Sequence, residues 1–169
     1  MKTYRAFLAV PLGDEVVRAA TELSVQIRGR IREAGVRAKW VPPQNLHVTL
    51  RFLGNIAAEQ GRAVGEALGP VLRGHASFLA RFGAVGAFPS APRPAVLWIG
   101  IGEGAEAMTN LGVDVGRAVT ALGFPEEDRP FHAHVTIASA RRIGDSSPAR
   151  RRPARTSTST QPGCAARAT

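Results

Sequence analysis

Two short segments of the chain carry the same set of polar side chains. Residues 45–53 read NLHVTLRFL and residues 130–140 read PFHAHVTIASA, so the tripeptide His-Val-Thr occurs twice. Polar and apolar residues alternate around both copies, which is typical of a half-buried strand. Because residues i and i+2 of a strand share a face, each copy presents one imidazole and one hydroxyl to the same side. The two pairs are His47 with Thr49 and His134 with Thr136.

Two imidazoles and two hydroxyls suit acid–base catalysis. The ordinary pKa of histidine is about 6.5, so one ring can accept a proton while another donates one near neutral pH. Threonine hydroxyls can donate hydrogen bonds to negative charge on a reacting group. A lone strand histidine is more often bonded to a backbone carbonyl than catalytic, but the repeated His-Thr pair favours catalysis by His47 and His134.

The elements that must position these motifs also come in two similar series. The first half predicts strands and helices at Tyr4–Val10 (strand), Asp14–Ala34 (helix), Val36–Val41 (strand), the first motif strand, and Ala58–Leu72 (helix). The second half predicts a β-rich run at Ala76–Phe88, a proline-rich turn at Pro89–Pro94, a strand at Ala95–Ile101, a helix at Gly104–Leu122, and the second motif strand. His134 lies 87 residues after His47, which fits one motif per half.

Charge and composition limit the function classes. The 169 residues carry a formal net charge of +9, but seven of the arginines lie from Arg141 onward, so residues 1–140 hold fifteen basic against twelve acidic residues. The single cysteine, Cys164, excludes an internal disulfide, and neither a signal peptide nor an apolar stretch long enough to span a membrane is evident. We therefore expect a cytoplasmic protein. The Arg/Ser/Thr/Pro-rich segment 143–169 has almost no large apolar residue, which predicts disorder.

Residues 3–140 resemble the two-histidine phosphoesterases, and among them the bacterial and archaeal RNA 2′,3′-cyclic phosphodiesterases, also called 2′-5′ RNA ligases. The resemblance rests on NLHVTLRFLG and PFHAHVTIA, together with YRAFLAVPL, KWVPPQ and VGAFPSAPRPAVLWIGI in the same order. It implies an α+β domain over residues 1–142, with two pseudo-symmetric lobes, about 1–74 and 75–142, which can share strands. Each lobe would be an antiparallel sheet with helices on its outer face, and the catalytic cleft would lie between the lobes.

The resemblance further implies a metal-independent RNA 2′,3′-cyclic 3′-phosphodiesterase without a cofactor. His47 would be the proton donor, His134 the proton acceptor, and Thr49 and Thr136 the phosphate ligands. The expected partner is RNA with a 2′,3′-cyclic phosphate end, tRNA fragments included. The protein is expected to be a monomer and not to bind a membrane. The alternatives are 2′-5′ RNA ligation, hydrolysis of a small cyclic nucleotide phosphate, and a non-catalytic RNA-binding module.

Four more residues are candidate substrate contacts. Arg51 follows His47 by four positions, so we expect it on the same face of the strand, as a phosphate or base contact or as a solvated charge. His132 precedes His134 by two positions; a His-x-His pair can bind zinc, but no third ligand is evident nearby. The resemblance implies a basic residue at this position, so a phosphate or RNA contact is expected, with plain solvent exposure as the alternative. Trp40 and Phe52 are candidates for stacking on a nucleobase, or else core residues.

Overall fold

The structure is a computed structural model that describes residues 2–143. Along this range the elements are β1 (Thr3–Pro11), α1 (Asp14–Glu33), β2 (Val36–Trp40), a short 3-10 helix (Pro43–Asn45), β3 (His47–Ala57), α2 (Ala58–Arg73), β4 (Phe82–Ser90), β5 (Arg93–Ile101), α3 (Ala105–Ala121) and β6 (His134–Arg142). The three predicted helices are confirmed to within one residue at each end.

The six strands form one antiparallel sheet in the order β1-β3-β6-β5-β4, and β2 also pairs with β6. The two motif strands, β3 and β6, meet at a single residue pair, Val48 and Val135. Beyond that pair β3 continues along β1, while β2 lies beside β6 from Ala138 to Arg142. The α+β class with an antiparallel sheet is confirmed. Since β2 comes from the first half of the chain and pairs in the second, the division into two lobes stays a prediction.

The hydrophobic core lies between the three helices and one face of this sheet. The predicted apolar stripe of α1 packs against it through residues at three- and four-residue steps, namely Val17, Ala20, Leu23, Ile27 and Ile31. On the sheet side the most deeply buried side chains are the branched aliphatics Val48, Ile99, Val135 and Ile137. Burying each of these side chains contributes about 1.5–3 kcal/mol to the stability of the fold. Among the described residues no helix is both long and apolar enough to cross a membrane.

β3 contains a β-bulge directly after its threonine. Thr49 pairs with Ala9 of β1 and Arg51 pairs with Leu8, so Leu50 is an extra residue with no partner of its own. A bulge interrupts the regular alternation of faces along a strand. Leu50 and Arg51 are accordingly both buried, at 8% and 6% exposure, although they are consecutive.

β6 contains a bulge at the corresponding position. Thr136 pairs with Trp98 of β5 and Ala138 pairs with Leu97, so Ile137 is the extra residue. Ile137 and Ala138 are again consecutive and buried, at 1% and 0% exposure. The first six residues of β3 and of β6 thus have the same order of half-buried, buried and exposed side chains. The internal repeat therefore extends from the tripeptide to the backbone geometry that follows it.

The predictions for the β4–β5 region were wrong at two places. The β-rich run expected from Ala76 becomes a strand only at Phe82, because its partner β5 ends at Ile101; Arg81 instead exchanges backbone hydrogen bonds with Gly102 and Glu103. The proline-rich turn is also shorter than expected. β4 runs to Ser90 and β5 starts at Arg93. Proline is tolerated there because Pro89 lies at an irregularity near the end of the edge strand β4, and Pro94 lies at the start of β5.

The disorder expected for residues 143–169 falls, from residue 144 onward, outside the described residues. Ile143 is described, and its N–H donates to the carbonyl of Gly35 at 2.7 Å.

Candidate active site

His47 is the first residue of β3, directly after the connection that contains the short 3-10 helix. Its Nδ1 lies 2.8 Å from the carbonyl oxygen of Asn45. Because a carbonyl oxygen can only accept, Nδ1 carries the hydrogen and Nε2 is left available. The backbone two residues upstream therefore fixes both the tautomer and the ring orientation of His47.

His134 is the first residue of β6 and is held in the same way. Its Nδ1 lies 2.6 Å from the carbonyl oxygen of His132, again two residues upstream. The same argument assigns the hydrogen to Nδ1 and leaves Nε2 for chemistry. The two histidines thus share their position in the strand, their tautomer and their backbone partner.

The contact between β3 and β6 brings the four motif side chains together. Val48 and Val135, the paired residues, are 1% and 0% exposed and point into the core. The residues on either side of them point to the opposite, open face, and all four are half-buried: His47, Thr49, His134 and Thr136. Diagonal neighbours on antiparallel strands are about 7–8 Å apart, so the histidines can flank a bound group of phosphate size.

An exposed aromatic pair lies on the His47 side of the open face. Phe7 of β1 stacks on the His47 ring, with 4.9 Å between centroids and 22° between planes. Phe52 lies 6.2 Å from Phe7 and is 57% exposed, so the structure places this candidate near His47 and free to meet a ligand. Phe7 was missed by sequence reasoning. The available signal was an aromatic residue in the predicted first strand, two residues from Ala9, which pairs with Thr49.

A denser aromatic group surrounds His134. The ring of Phe88 meets it edge-on at 5.1 Å, and Trp98 lies at 6.1 Å. Burial lowers the pKa of His134 below its ordinary value of 6.5; the hydrogen bond to the His132 carbonyl raises it, and the charge of His132 lowers it. The net direction favours the neutral imidazole. Phe88 and Trp98 were also missed, because their contacts depend on the pairing of β4 and β5 with β6.

His132 has two different relations to the site. Its carbonyl orients His134, while its own side chain is exposed and packs 4.8 Å from Trp98. The indole of Trp98 extends over Gly86, where a Cβ would overlap it, so glycine at this position makes room for the ring. The structure therefore places His132 beside the motif histidine, in an aromatic setting.

Arg51 does not lie on the face of His47. The bulge at Leu50 turns its side chain toward the buried side, where the guanidinium donates to the carbonyl of Pro125 and lies 3.6 Å from the Glu127 carboxylate. Its Nε is buried without a partner among the described residues. The expectation that Arg51 shares a face with His47 was wrong because it assumed an uninterrupted strand. Arg51 instead fixes the connection that leads to the second motif.

Trp40 also faces the helices. The guanidinium of Arg28 on α1 lies 4.9 Å from the centre of its ring, a cation–π contact, and Trp40 packs against the core. Its cross-strand neighbour Ala138 is fully buried. Of the two candidates for stacking on a base, Trp40 therefore lies on the core side and Phe52 on the open side.

The described residues contain no group of three or more histidine, cysteine, aspartate or glutamate side chains that could hold a metal ion. His132 and His134 contact each other and the ring of Trp98.

Comparison with known proteins gives a consistent result. A family model described as LigT-like phosphoesterase matches residues 15–98, which include the first motif. The chain is 36% identical over 138 residues to the RNA 2′,3′-cyclic phosphodiesterase of Aquifex aeolicus, covering 81% of this chain and 71% of that protein. It is also 36% identical to the protein of the same name from Archaeoglobus fulgidus, covering 82% and 73%. Both alignments are long enough to establish common family membership.

The fold agrees with this result. A crystal structure of TT0787 from Thermus thermophilus superposes with a TM-score of 0.67 at 32% identity, covering 82% of this chain and 74% of that one. The fold and the paired His-Val-Thr segments are those of a phosphoesterase, a hydrolase of ester bonds. The chain belongs to the LigT-like phosphoesterase family.

Proposed function

We propose that the protein hydrolyses the 2′,3′-cyclic phosphodiester end of RNA to a 2′-phosphomonoester by metal-independent acid–base catalysis. The observation that carries this proposal is the matched pair of histidines, each with Nδ1 bonded to a backbone carbonyl and Nε2 free, on either side of one inter-strand residue pair. The names of the relatives from A. aeolicus and A. fulgidus supply the substrate class.

Ring opening requires two proton transfers on opposite sides of phosphorus. Nε2 of His134 takes a proton from water as the water oxygen forms a bond to phosphorus. The bond between phosphorus and the ribose O3′ breaks, and Nε2 of His47 protonates that oxygen. A phosphate remains on O2′, and the two histidines have exchanged protonation states.

The environment of His134 supports this direction. The pKa of His134 is lowered, chiefly by burial among Phe88 and its neighbours, so its neutral form is available to act as the base. His47 has a different neighbour, the exposed ring of Phe7, on which it stacks.

Thr49 and Thr136 are proposed as donors to the non-bridging oxygens. Each is half-buried on the open face beside a motif histidine, so its hydroxyl can reach a phosphate between the rings. Phe52 and the exposed ring of His132 are proposed as contacts to the nucleotide, because each offers a π-face or edge near one histidine.

The test is turnover of an RNA oligomer with a 2′,3′-cyclic phosphate end in the presence of EDTA. The wild type is expected to give a 2′-phosphate end, distinguished from a 3′-phosphate by chromatography against both standards. His47→Ala and His134→Ala should each lower the rate by at least about 10²-fold. The exposed helix residue Arg62 provides a control, since Arg62→Ala should keep the wild-type rate. Loss of activity in EDTA, or a rate unaffected by either histidine substitution, would overturn the proposal.

A further inference from the structure

The charges of the protein are divided between the sheet and the rest of the fold. None of the six strands contains aspartate or glutamate; in residues 2–143 all acidic side chains lie in helices or connections. The strands carry seven basic residues, which are Arg5, Arg37, Lys39, Arg51, Arg93, Arg141 and Arg142. Although the net charge of residues 1–140 is modest, the charged side chains of the sheet are therefore all positive.

Three of these cations lie on one face of the β2–β6 pair. Lys39 is directly opposite Ser139, and Arg37 is directly opposite Arg141; directly opposite residues of antiparallel strands share a face. The intervening residues, such as Trp40 with its Arg28 contact, point toward the helices. Lys39, Arg37 and Arg141 consequently point away from the helices, and all three are exposed.

This face is continuous with the open face of the catalytic motif. Along β6 the bulge at Ile137 shifts the alternation by one residue, so the exposed Ser139 follows Thr136 on the same side. At about 3.3 Å per residue, Ser139 and Lys39 lie about 10 Å from Thr136, and Arg141 lies about 16 Å from it. We call the surface of Arg37, Lys39 and Arg141 the basic strip.

Within the described part of the chain no side chain of the basic strip forms an ion pair. By contrast, Arg51, Arg81 and Arg117 each have a carboxylate within 4 Å. Unpaired, exposed cations in a row beside a phosphate site suit the phosphodiester backbone of a nucleic acid, because phosphate contacts position a chain without reading its sequence.

We propose that the RNA strand leaves the active site along β2 and β6, with Lys39 first and Arg37 and Arg141 farther out bonded to its backbone phosphates. This inference rests on the proposed function and narrows its substrate to an oligonucleotide end. A cyclic mononucleotide has no phosphate to place on the basic strip, so the protein should prefer the longer substrate. The opposite side of the open face offers a single strand cation, Arg5, two residues from Phe7 on β1.

The experiment compares kcat/KM for a cyclic-ended RNA hexamer with that for 2′,3′-cyclic AMP. Lys39→Ala, Arg37→Ala, Arg141→Ala and the triple variant are measured beside two controls, Arg5→Ala on the other side of the site and Arg62→Ala on α2. We expect the triple variant to lose at least about tenfold more on the hexamer than on cyclic AMP. The dependence of log Kd on log salt for the hexamer should flatten by about 0.7 for each phosphate contact removed from a single strand.

Binding of a hexamer that ends in a 2′-phosphate, followed by fluorescence anisotropy, separates this inference from the proposed function. If the basic strip variants bind the hexamer more weakly and the wild type shows no turnover, the role of the basic strip in RNA binding is supported and the proposed reaction is contradicted. Equal turnover of hexamer and cyclic AMP, or equal losses in the strip variants and Arg62→Ala, would overturn the strip and leave the reaction intact. A selective loss in Arg5→Ala would place the RNA on the other side and also overturn it.

Discussion

The two motif strands have the same order of residues but different neighbours. In β3 and β6 alike, a histidine bonded to the carbonyl two residues upstream is followed by a buried valine, a half-buried threonine and a bulge. His47 then meets one stacked, exposed ring, Phe7. His134 meets Phe88, Trp98 and His132, and burial lowers its pKa.

In the proposed mechanism, this difference in packing lets one motif supply both the proton donor and the proton acceptor. The shared backbone contact fixes which nitrogen of each ring is available, and it acts equally on both. The packing around His134 in addition lowers its pKa, since a buried imidazole is harder to charge. Because the two strands are alike and their surroundings differ, one set of substitutions can test the shared His-Thr pairs. Another set can test the different neighbours of His47 and His134.

The largest effect should come from removing both histidines. If they act as one acid–base pair, His47→Ala combined with His134→Ala should be scarcely slower than either single variant, because losses within a catalytic unit are not additive. Single-turnover rates of the three variants measure this. Multiplicative losses in the double variant would mean that the two histidines act independently, which would contradict their assignment as one acid–base pair.

The threonine substitutions test the shared His-Thr pairs. Thr49→Val and Thr136→Val keep the side-chain shape and remove one hydroxyl each, so each should lower kcat by about 10²-fold, the usual cost of one lost donor to a transition-state oxyanion. Rapid-quench measurements of kcat on the cyclic-ended oligomer provide the check. A large loss for one variant beside a negligible loss for the other would show that the phosphate binds asymmetrically.

The residues that follow the two bulges differ between β3 and β6. β3 has Arg51 where β6 has Ala138. Arg51 donates to the carbonyl of Pro125 and lies 3.6 Å from the Glu127 carboxylate, in the connection leading to the second motif. Arg51→Met should lower the free energy of unfolding by about 1 kcal/mol, because the carbonyl of Pro125 loses its hydrogen bond from the buried guanidinium. Urea unfolding followed by circular dichroism measures this, with Arg62→Met as the exposed control. An unchanged midpoint in Arg51→Met would contradict the proposed anchoring role.

The smallest expected effect is a shift in the acid limb of the pH profile. His134 acts as the base only when neutral, and its lowered pKa keeps it neutral to a lower pH, so kcat/KM should fall only below the ordinary pKa of 6.5. Phe88→Ala exposes the ring and should move the limb upward, toward 6.5. Phe7→Ala, which removes the ring stacked on His47, should leave that limb in place. A limb that moves in Phe7→Ala and not in Phe88→Ala would reverse the proposed roles.

Local pattern was sufficient for much of the fold and of the site. Helix periodicity and terminal signals predicted α1, α2 and α3, because these depend on residues near in sequence. Alternation correctly placed Val48 and Val135 in the core and the four motif side chains on the other face. Alternation then failed at Arg51, because a bulge depends on how the partner strand pairs.

The sequence by itself determined that two His-Thr pairs exist and that each projects from a strand, since a two-residue period is a property of the local backbone. Only the tertiary structure decided that β3 and β6 meet at Val48 and Val135, that β2 crosses to β6, and that aromatic rings crowd His134. These features come from contacts between residues far apart in the chain, which local composition does not encode. The sequence therefore predicted a candidate site from the repeated His-Thr pairs, whereas the difference between the surroundings of its two histidines arose from packing.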